Sequence, residues 1–146
     1  MRATLTFGVV MLAALALLVE APAARAADDD VPSFKKRPDK EKEKEWVTEV
    51  GTAIVKAARS GPAKIELDTY KFVEVKDKKD RKNLEITMNW QGGITKKKFV
   101  STIVVHIDAS GKEWEVLNID YSDDNKISVA KPNANKIQDL IKKFNK

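Results

Sequence analysis

The chain has 146 residues, with 27 basic and 22 acidic side chains, a formal charge of +5, no cysteine and a single histidine. The lack of cysteine excludes disulfides, and with only one histidine it disfavours a zinc site, since such sites draw mainly on these two residue types. The basic excess is mild and mixed with acidic residues, which is typical of a soluble surface rather than of a groove for specific nucleic acid. We therefore expect no metal and no cofactor.

The first 26 residues carry the three parts of a secretory signal. Arg2 precedes an uncharged apolar run from Phe7 to Val19. Ala24-Arg25-Ala26 then has small residues at the two positions that a signal peptidase recognises. The run is shorter than the ~20 residues of a transmembrane helix. We expect cleavage after Ala26, an exported protein in the periplasm or secreted medium, and contact with a membrane only during export.

Residues 27–38 are polar and predict a flexible tether in front of a single domain over residues 39–146. Asp39 is suited to cap a helix whose first turns are the charged residues 40–45. A helical apolar stripe follows, made of Trp46, Val47, Val50, Ile54, Ala57 and Ala58. The sequence Ser60-Gly61-Pro62 then favours an end to this helix.

After Pro62 the apolar period changes to that of β-strands. Four strands are predicted around residues 65–75, 84–90, 99–107 and 114–121, and the alternation slips near Thr69, which indicates a bulge. The segment Ile127-Ser128-Val129 is compatible with a short fifth strand. Each strand follows its predecessor through a short connection, so a meander is expected.

Pro132 opens a second amphipathic helix, whose stripe consists of Ile137, Leu140, Ile141 and Phe144. The sequence thus predicts an α+β fold: an N-terminal amphipathic helix, a four- to five-stranded antiparallel meander sheet, and a C-terminal helix packed on the sheet. This order resembles the cystatin-like and NTF2-like layouts, in which a curved antiparallel sheet wraps a helix. That resemblance concerns the fold and implies no function.

The catalytic candidates are His106, Asp108 and Tyr121. His106 and Asp108 lie two residues apart, so they share a strand face, and a carboxylate is able to orient an imidazole. Ser101 is expected on the other face. No cysteine nucleophile and no Gly-x-Ser-x-Gly turn accompanies them, so a half-exposed strand histidine is the favoured interpretation.

The ligand-binding candidates are Trp90, Lys96, Lys97, Lys98 and Trp114. Three lysines beside an aromatic residue are able to bind an anionic polymer, although exposed lysines at a strand start are the simpler interpretation. The tryptophans follow the apolar phase of their strands, which favours core packing. Asp120 to Asp124 imitates the start of a calcium loop, but Asn125 and Lys131 replace the glycine and glutamate that such a loop needs.

These residues favour a small, exported, non-enzymatic binding or protein-interaction module whose protein or small-molecule ligand is unknown. One alternative is a small hydrolase- or isomerase-like enzyme with a sheet–helix cavity around His106, Asp108 and Tyr121. A further alternative is a weak binder of anionic envelope polymers through surface lysines. A polar cavity containing His106 would favour the enzyme, and a filled sheet–helix interface would favour the module.

Overall fold

The computed structural model describes residues 31–123 and 131–146. Pro32–Lys146 form one compact unit. The predicted leader and the possible strand at residues 127–129 lie outside the described residues. Within the described ranges, no helix has the length and apolar character needed to cross a membrane.

The described residues of this unit form two α-helices on a four-stranded sheet, in agreement with the predicted α+β fold. A 3₁₀ turn at Lys40–Lys42 leads into the first helix. The elements are α1 (Glu43–Ala58), β1 (Pro62–Glu74), β2 (Arg81–Gly92), β3 (Lys98–Asp108), β4 (Glu115–Asp123) and α2 (Ala134–Phe144). The sheet is an open antiparallel meander in the order β1-β2-β3-β4.

One face of the sheet, here called the inner face, is buried against the helices. Side chains alternate along β2 and β3, so every second residue lies on this face. The buried inner-face residues of the two central strands are Leu84, Ile86, Met88, Trp90, Ser101, Ile103, Val105 and Ile107. The predicted alternation of these strands is therefore confirmed. The outer face holds the intervening residues, which are mostly half-buried.

Helix α1 crosses the inner face very closely above the middle of β2. At Gly51 a Cβ atom would stand 2.5 Å from the Sδ of Met88, so the absence of a side chain permits this approach. Val47, Val50, Ile54 and Val55 of the helix are wholly buried. The helix ends at Ala58, and the following residue, Arg59, has extended backbone angles.

Helix α2 lies against α1 and β4. Its predicted stripe is buried, with Ile137, Leu140, Ile141 and Phe144 each at most 8% exposed. Asn133 caps the helix by accepting a hydrogen bond from the Lys136 amide at 3.1 Å. The Asn133 amide also donates to the Ala58 carbonyl at 3.1 Å, which joins the start of α2 to the end of α1.

The second half of the predicted tether does not lie free of the domain, which corrects the boundary at residue 39. Phe34 is 1% exposed, and its ring lies between Trp46 and Phe144, at centroid distances of 4.7 and 5.1 Å. Its amide donates to the Phe144 carbonyl at 3.0 Å. Phe34 is a single aromatic residue among charged residues in the sequence, so no apolar pattern predicts its burial.

Candidate functional site

A pocket of about 390 Å³ opens where β1 begins, β2 ends and β3 begins. This volume is within the range of small-molecule sites. We call it the hairpin pocket, because it adjoins the loop between β2 and β3. It is lined by Lys64, Glu66, Asn89, Trp90, Gln91, Lys98, Phe99 and Val100.

A β-bulge shapes one wall of the hairpin pocket. Ala63 pairs with Gln91 and Glu66 pairs with Asn89, so two residues of β1 stand opposite the single residue between them on β2. Lys64, inside this bulge, has a φ of 49°, in the left-handed region that few side chains adopt. A bulge bends its strand and redirects side chains, which brings Lys64 into the lining. A second bulge between Leu67 and Thr69 confirms the predicted slip.

The polar lining of the hairpin pocket combines two cations, one carboxylate and two amides. Lys64 and Lys98 outnumber Glu66, so the lining carries one net positive charge. Asn89 and Gln91 each offer a donor and an acceptor. Such a set is able to hold a small polar ligand that carries a negative charge and hydroxyl groups.

The pocket brings together two of the predicted ligand-binding residues, Trp90 and Lys98. Trp90 is only 5% exposed, because its ring stacks on Phe99 at a centroid distance of 4.4 Å. Its ring is thus committed to the protein rather than offered for stacking. Lys96 and Lys97 do not line the pocket and lie exposed in the adjoining loop.

Trp114 lies at the opposite end of the sheet, away from this pocket. The Arg37 guanidinium stands 4.4 Å from the centroid of its ring, and the Phe72 ring meets it edge-on at 5.7 Å. Lys82 approaches the same ring, with Nζ at 5.5 Å. These contacts help to hold the segment before α1 on the domain.

The three catalytic candidates do not meet. His106 and Asp108 lie on the outer face, as the predicted alternation requires, whereas Tyr121 pairs with Ile103 on the inner face. The Asp108 carboxylate accepts a hydrogen bond from the Ser110 amide at 2.9 Å. Hydrogen bonding by the Ser110 side chain, and then by its amide, lowers the pKa of Asp108. It makes a local turn rather than a pair with the imidazole.

His106 is held by neighbouring strands instead. Its Nε2 lies 2.6 Å from the Oδ2 of Asp120, and its Nδ1 lies 3.0 Å from the Oδ1 of Asn83. Asn118 also donates to Asp120, at 3.2 Å. Both ring nitrogens are engaged in the sheet, so neither is directed at a bound molecule.

Tyr121 belongs to a buried polar cluster at the end of the inner face. Ser101 is wholly buried; its hydroxyl accepts from Trp90 Nε1 at 2.7 Å and donates to the Asp123 carboxylate at 2.5 Å. The Tyr121 hydroxyl lies 2.7 Å from Ser101 Oγ and 2.9 Å from the same carboxylate. Arg59 forms an ion pair with Asp123, and both side chains are nearly buried. The cluster ties the end of α1 to the end of β4.

Burial raises the pKa of Tyr121 to about 12, and the nearby Asp123 carboxylate acts in the same direction. The phenol therefore stays protonated near neutral pH and serves as a hydrogen-bonding group. Among the described residues, no group of three or more histidine, cysteine, aspartate or glutamate side chains is placed to hold a metal ion. The inner-face cluster is thus arranged as a structural connection.

No protein-family model, curated protein or solved structure matches the chain.

Several residues of the hairpin pocket and of the inner-face cluster, and the partner of His106, were not identified from the sequence. Lys64, Glu66, Asn89 and Gln91 enter the hairpin pocket through strand register and a bulge, which alternation alone does not reveal. Arg59 follows the last apolar residue of α1, and this position was a usable signal for a charge close to the core. Asp120 is the partner of His106 only because of the β3–β4 register.

Proposed function

We propose that the protein is an exported, non-enzymatic binding module that holds a small hydroxylated anion, such as a sugar acid, in the hairpin pocket. The observation that carries this proposal is the joint presence of Lys64 and Lys98 with the amides of Asn89 and Gln91 around about 390 Å³. Ammonium groups bind carboxylates by charge-assisted hydrogen bonds, and amides bind hydroxyl groups.

The interior of the domain supports binding over catalysis. Val50 and Ile54 of α1 and Leu84 and Met88 of β2 have no exposed surface, so the middle of the sheet–helix interface is filled. The three catalytic candidates are divided between the two faces of the sheet, with His106 and Asp108 on the outer face and Tyr121 on the inner face. We accordingly expect His106→Ala to retain the biological role at matched protein level, measured by complementation of a deletion strain.

The direct test is a titration of the folded protein with glucuronate, with neutral glucose as the matched probe. Glucuronate is expected to bind more tightly than glucose, and Lys98→Ala should weaken it about tenfold, since a hydrogen bond to a charged group contributes ~1.5–3 kcal/mol. Lys97→Ala is the control, because Lys97 is the exposed neighbour outside the lining. Equal binding of the two sugars, or an unchanged affinity in Lys98→Ala, would contradict the proposal.

A further inference from the structure

The loop between β2 and β3 carries the most exposed large hydrophobic side chain of the described residues. Ile94 is 97% exposed, and the other such side chain, Leu117, is 38% exposed on the body of the sheet. A lone exposed apolar residue is ordinary on a protein surface. Because Ile94 lies at the projecting tip of this loop, its side chain is able to enter an apolar phase without any rearrangement of the domain.

The tip is held in place rather than left to fold back. The Gly92 amide donates to the Lys97 carbonyl at 2.9 Å, and the Lys96 amide donates to the Gly92 carbonyl at 3.0 Å. Gly93 lies so near Gly61 that a Cβ atom on it would stand 2.6 Å from the Gly61 carbonyl oxygen. The loop therefore rests on the start of β1, with Ile94 directed away from the core.

The charged residues within the loop have one sign. Residues 92–98 read Gly-Gly-Ile-Thr-Lys-Lys-Lys and include no acidic residue. Lys96, Lys97 and Lys98 are all exposed. By contrast, the connection at residues 75–80, between β1 and β2, reads Val-Lys-Asp-Lys-Lys-Asp, so aspartates accompany its lysines and its one apolar residue is half-buried. Among the described loops, an exposed apolar tip beside lysines, with no acidic residue in the same loop, therefore occurs only at this end of the sheet.

We propose that the 92–97 loop docks the protein on an anionic lipid bilayer, with Ile94 inserted at the headgroup–acyl boundary and Lys96 and Lys97 on the headgroups. Apolar side chains flanked by lysines have the chemistry of interfacial membrane contacts. This surface is independent of the hairpin pocket, because none of these three residues lines it. The contact is peripheral and reversible, since one side chain and a few charges do not anchor a protein permanently.

The test is cosedimentation of the domain with vesicles of phosphatidylcholine mixed with phosphatidylglycerol, against vesicles of phosphatidylcholine alone. Binding is expected only to the anionic vesicles, and it should weaken as salt is raised. Ile94→Ser should lower the partition coefficient about tenfold, since burial of a large apolar side chain is lost. The double variant Lys96→Gln/Lys97→Gln should lower it more than tenfold, at roughly fivefold for each lysine.

Two matched variants keep the test specific. Leu117→Ser removes the other large apolar side chain that is exposed among the described residues, and Lys78→Gln/Lys79→Gln removes two charges at the opposite end of the sheet. Both should bind vesicles as the parent chain does. Equal loss in these variants, or an unchanged partition coefficient in Ile94→Ser, would overturn bilayer insertion. Binding to a soluble anionic polysaccharide that does not depend on Ile94, with no vesicle binding, would also overturn it.

Discussion

At the scale of single residues, the inner-face polar cluster fixes the ionisation of one phenol. Burial raises the pKa of Tyr121 to about 12, so the phenol of the folded protein keeps its proton at pH values above the ordinary pKa of tyrosine. Below pH ~10 both the folded and the unfolded chain hold this proton. Between pH ~10 and ~12 the unfolded chain loses it first, so folding stability contributed by Tyr121 falls as pH rises.

We expect Tyr121→Phe to lessen the loss of stability between pH 9 and 11, by on the order of 1 kcal/mol after allowance for solvent screening. The measurement is urea unfolding at both values. Tyr70→Phe is the matched control, since Tyr70 is the only other tyrosine and its pKa is raised less, by burial and by Glu43. A pH dependence that is identical in Tyr121→Phe and in the parent chain would contradict the role of the phenol.

Two buried tryptophans differ in one hydrogen bond. Trp90 Nε1 donates to Ser101, whereas Trp46 Nε1 is buried without a partner among the described residues. An unpaired buried donor costs ~1–3 kcal/mol, so its removal offsets part of the lost ring contacts. Trp46→Phe should therefore destabilise the domain by ~1–2 kcal/mol less than Trp90→Phe, as measured by urea unfolding. An equal or larger loss in Trp46→Phe would show that ring contacts decide the difference.

At the scale of secondary-structure elements, α2 supplies a large share of the core. Its four apolar side chains are nearly buried, and burial of each contributes ~1.5–3 kcal/mol, against ~5–15 kcal/mol for a whole domain. The residue after the helix adds a connection to the sheet. Asn145 accepts from the Val116 amide at 2.7 Å and donates to the Val116 carbonyl at 2.9 Å, which occupies part of the open edge of β4.

Truncation after Lys131 should consequently abolish the cooperative unfolding transition followed by circular dichroism. A milder variant, Asn145→Ala, should fold and lose about 1–2 kcal/mol, because two hydrogen bonds to β4 disappear. Lys146→Ala, at the exposed chain end, serves as control. Retention of the parent melting temperature by the truncated chain would mean that α2 is not docked on the sheet.

The elements themselves were predictable, because each has a clear apolar period. The alternation of apolar and polar residues from Leu84 to Trp90, and the series of every second residue from Phe99 to Ile107, assigned Ser101 and His106 to opposite faces, as observed. Contacts between elements were not predictable in the same way. The pairing of His106 with Asp120 depends on register, and the hairpin pocket depends on a bulge at Lys64 whose left-handed backbone has no marker in the sequence.

At the scale of the whole molecule, the domain has two unlike ends. The end at the β2–β3 hairpin holds the pocket, the exposed lysines and the apolar tip, while the opposite end holds Trp114, Phe72 and Arg37 in mutual contact. The outer face between them is a half-buried polar surface. The two proposed contacts, with a small anion and with an anionic bilayer, both lie at the end of the β2–β3 hairpin, so they are close in space. They use different side chains, so we expect mutations to separate them.

The compact unit begins earlier than the sequence predicted, and this determines which chain folds. Cleavage after Ala26 would leave Pro32–Lys146 intact, whereas a chain that starts at Asp39 lacks Phe34. Since Phe34 is buried between α1 and α2, its loss should cost ~3–5 kcal/mol, as for other large-to-small changes in a core. We expect a chain from Ala27 to be stable, and a chain from Asp39 to unfold at markedly lower urea concentration.

Phe34→Ala in the Ala27 chain should reproduce most of that loss of stability, while Lys36→Ala, at an exposed neighbour, should not. If the chain from Asp39 is as stable as the chain from Ala27, residues 32–38 are a tether after all and Phe34 does not contribute to the core.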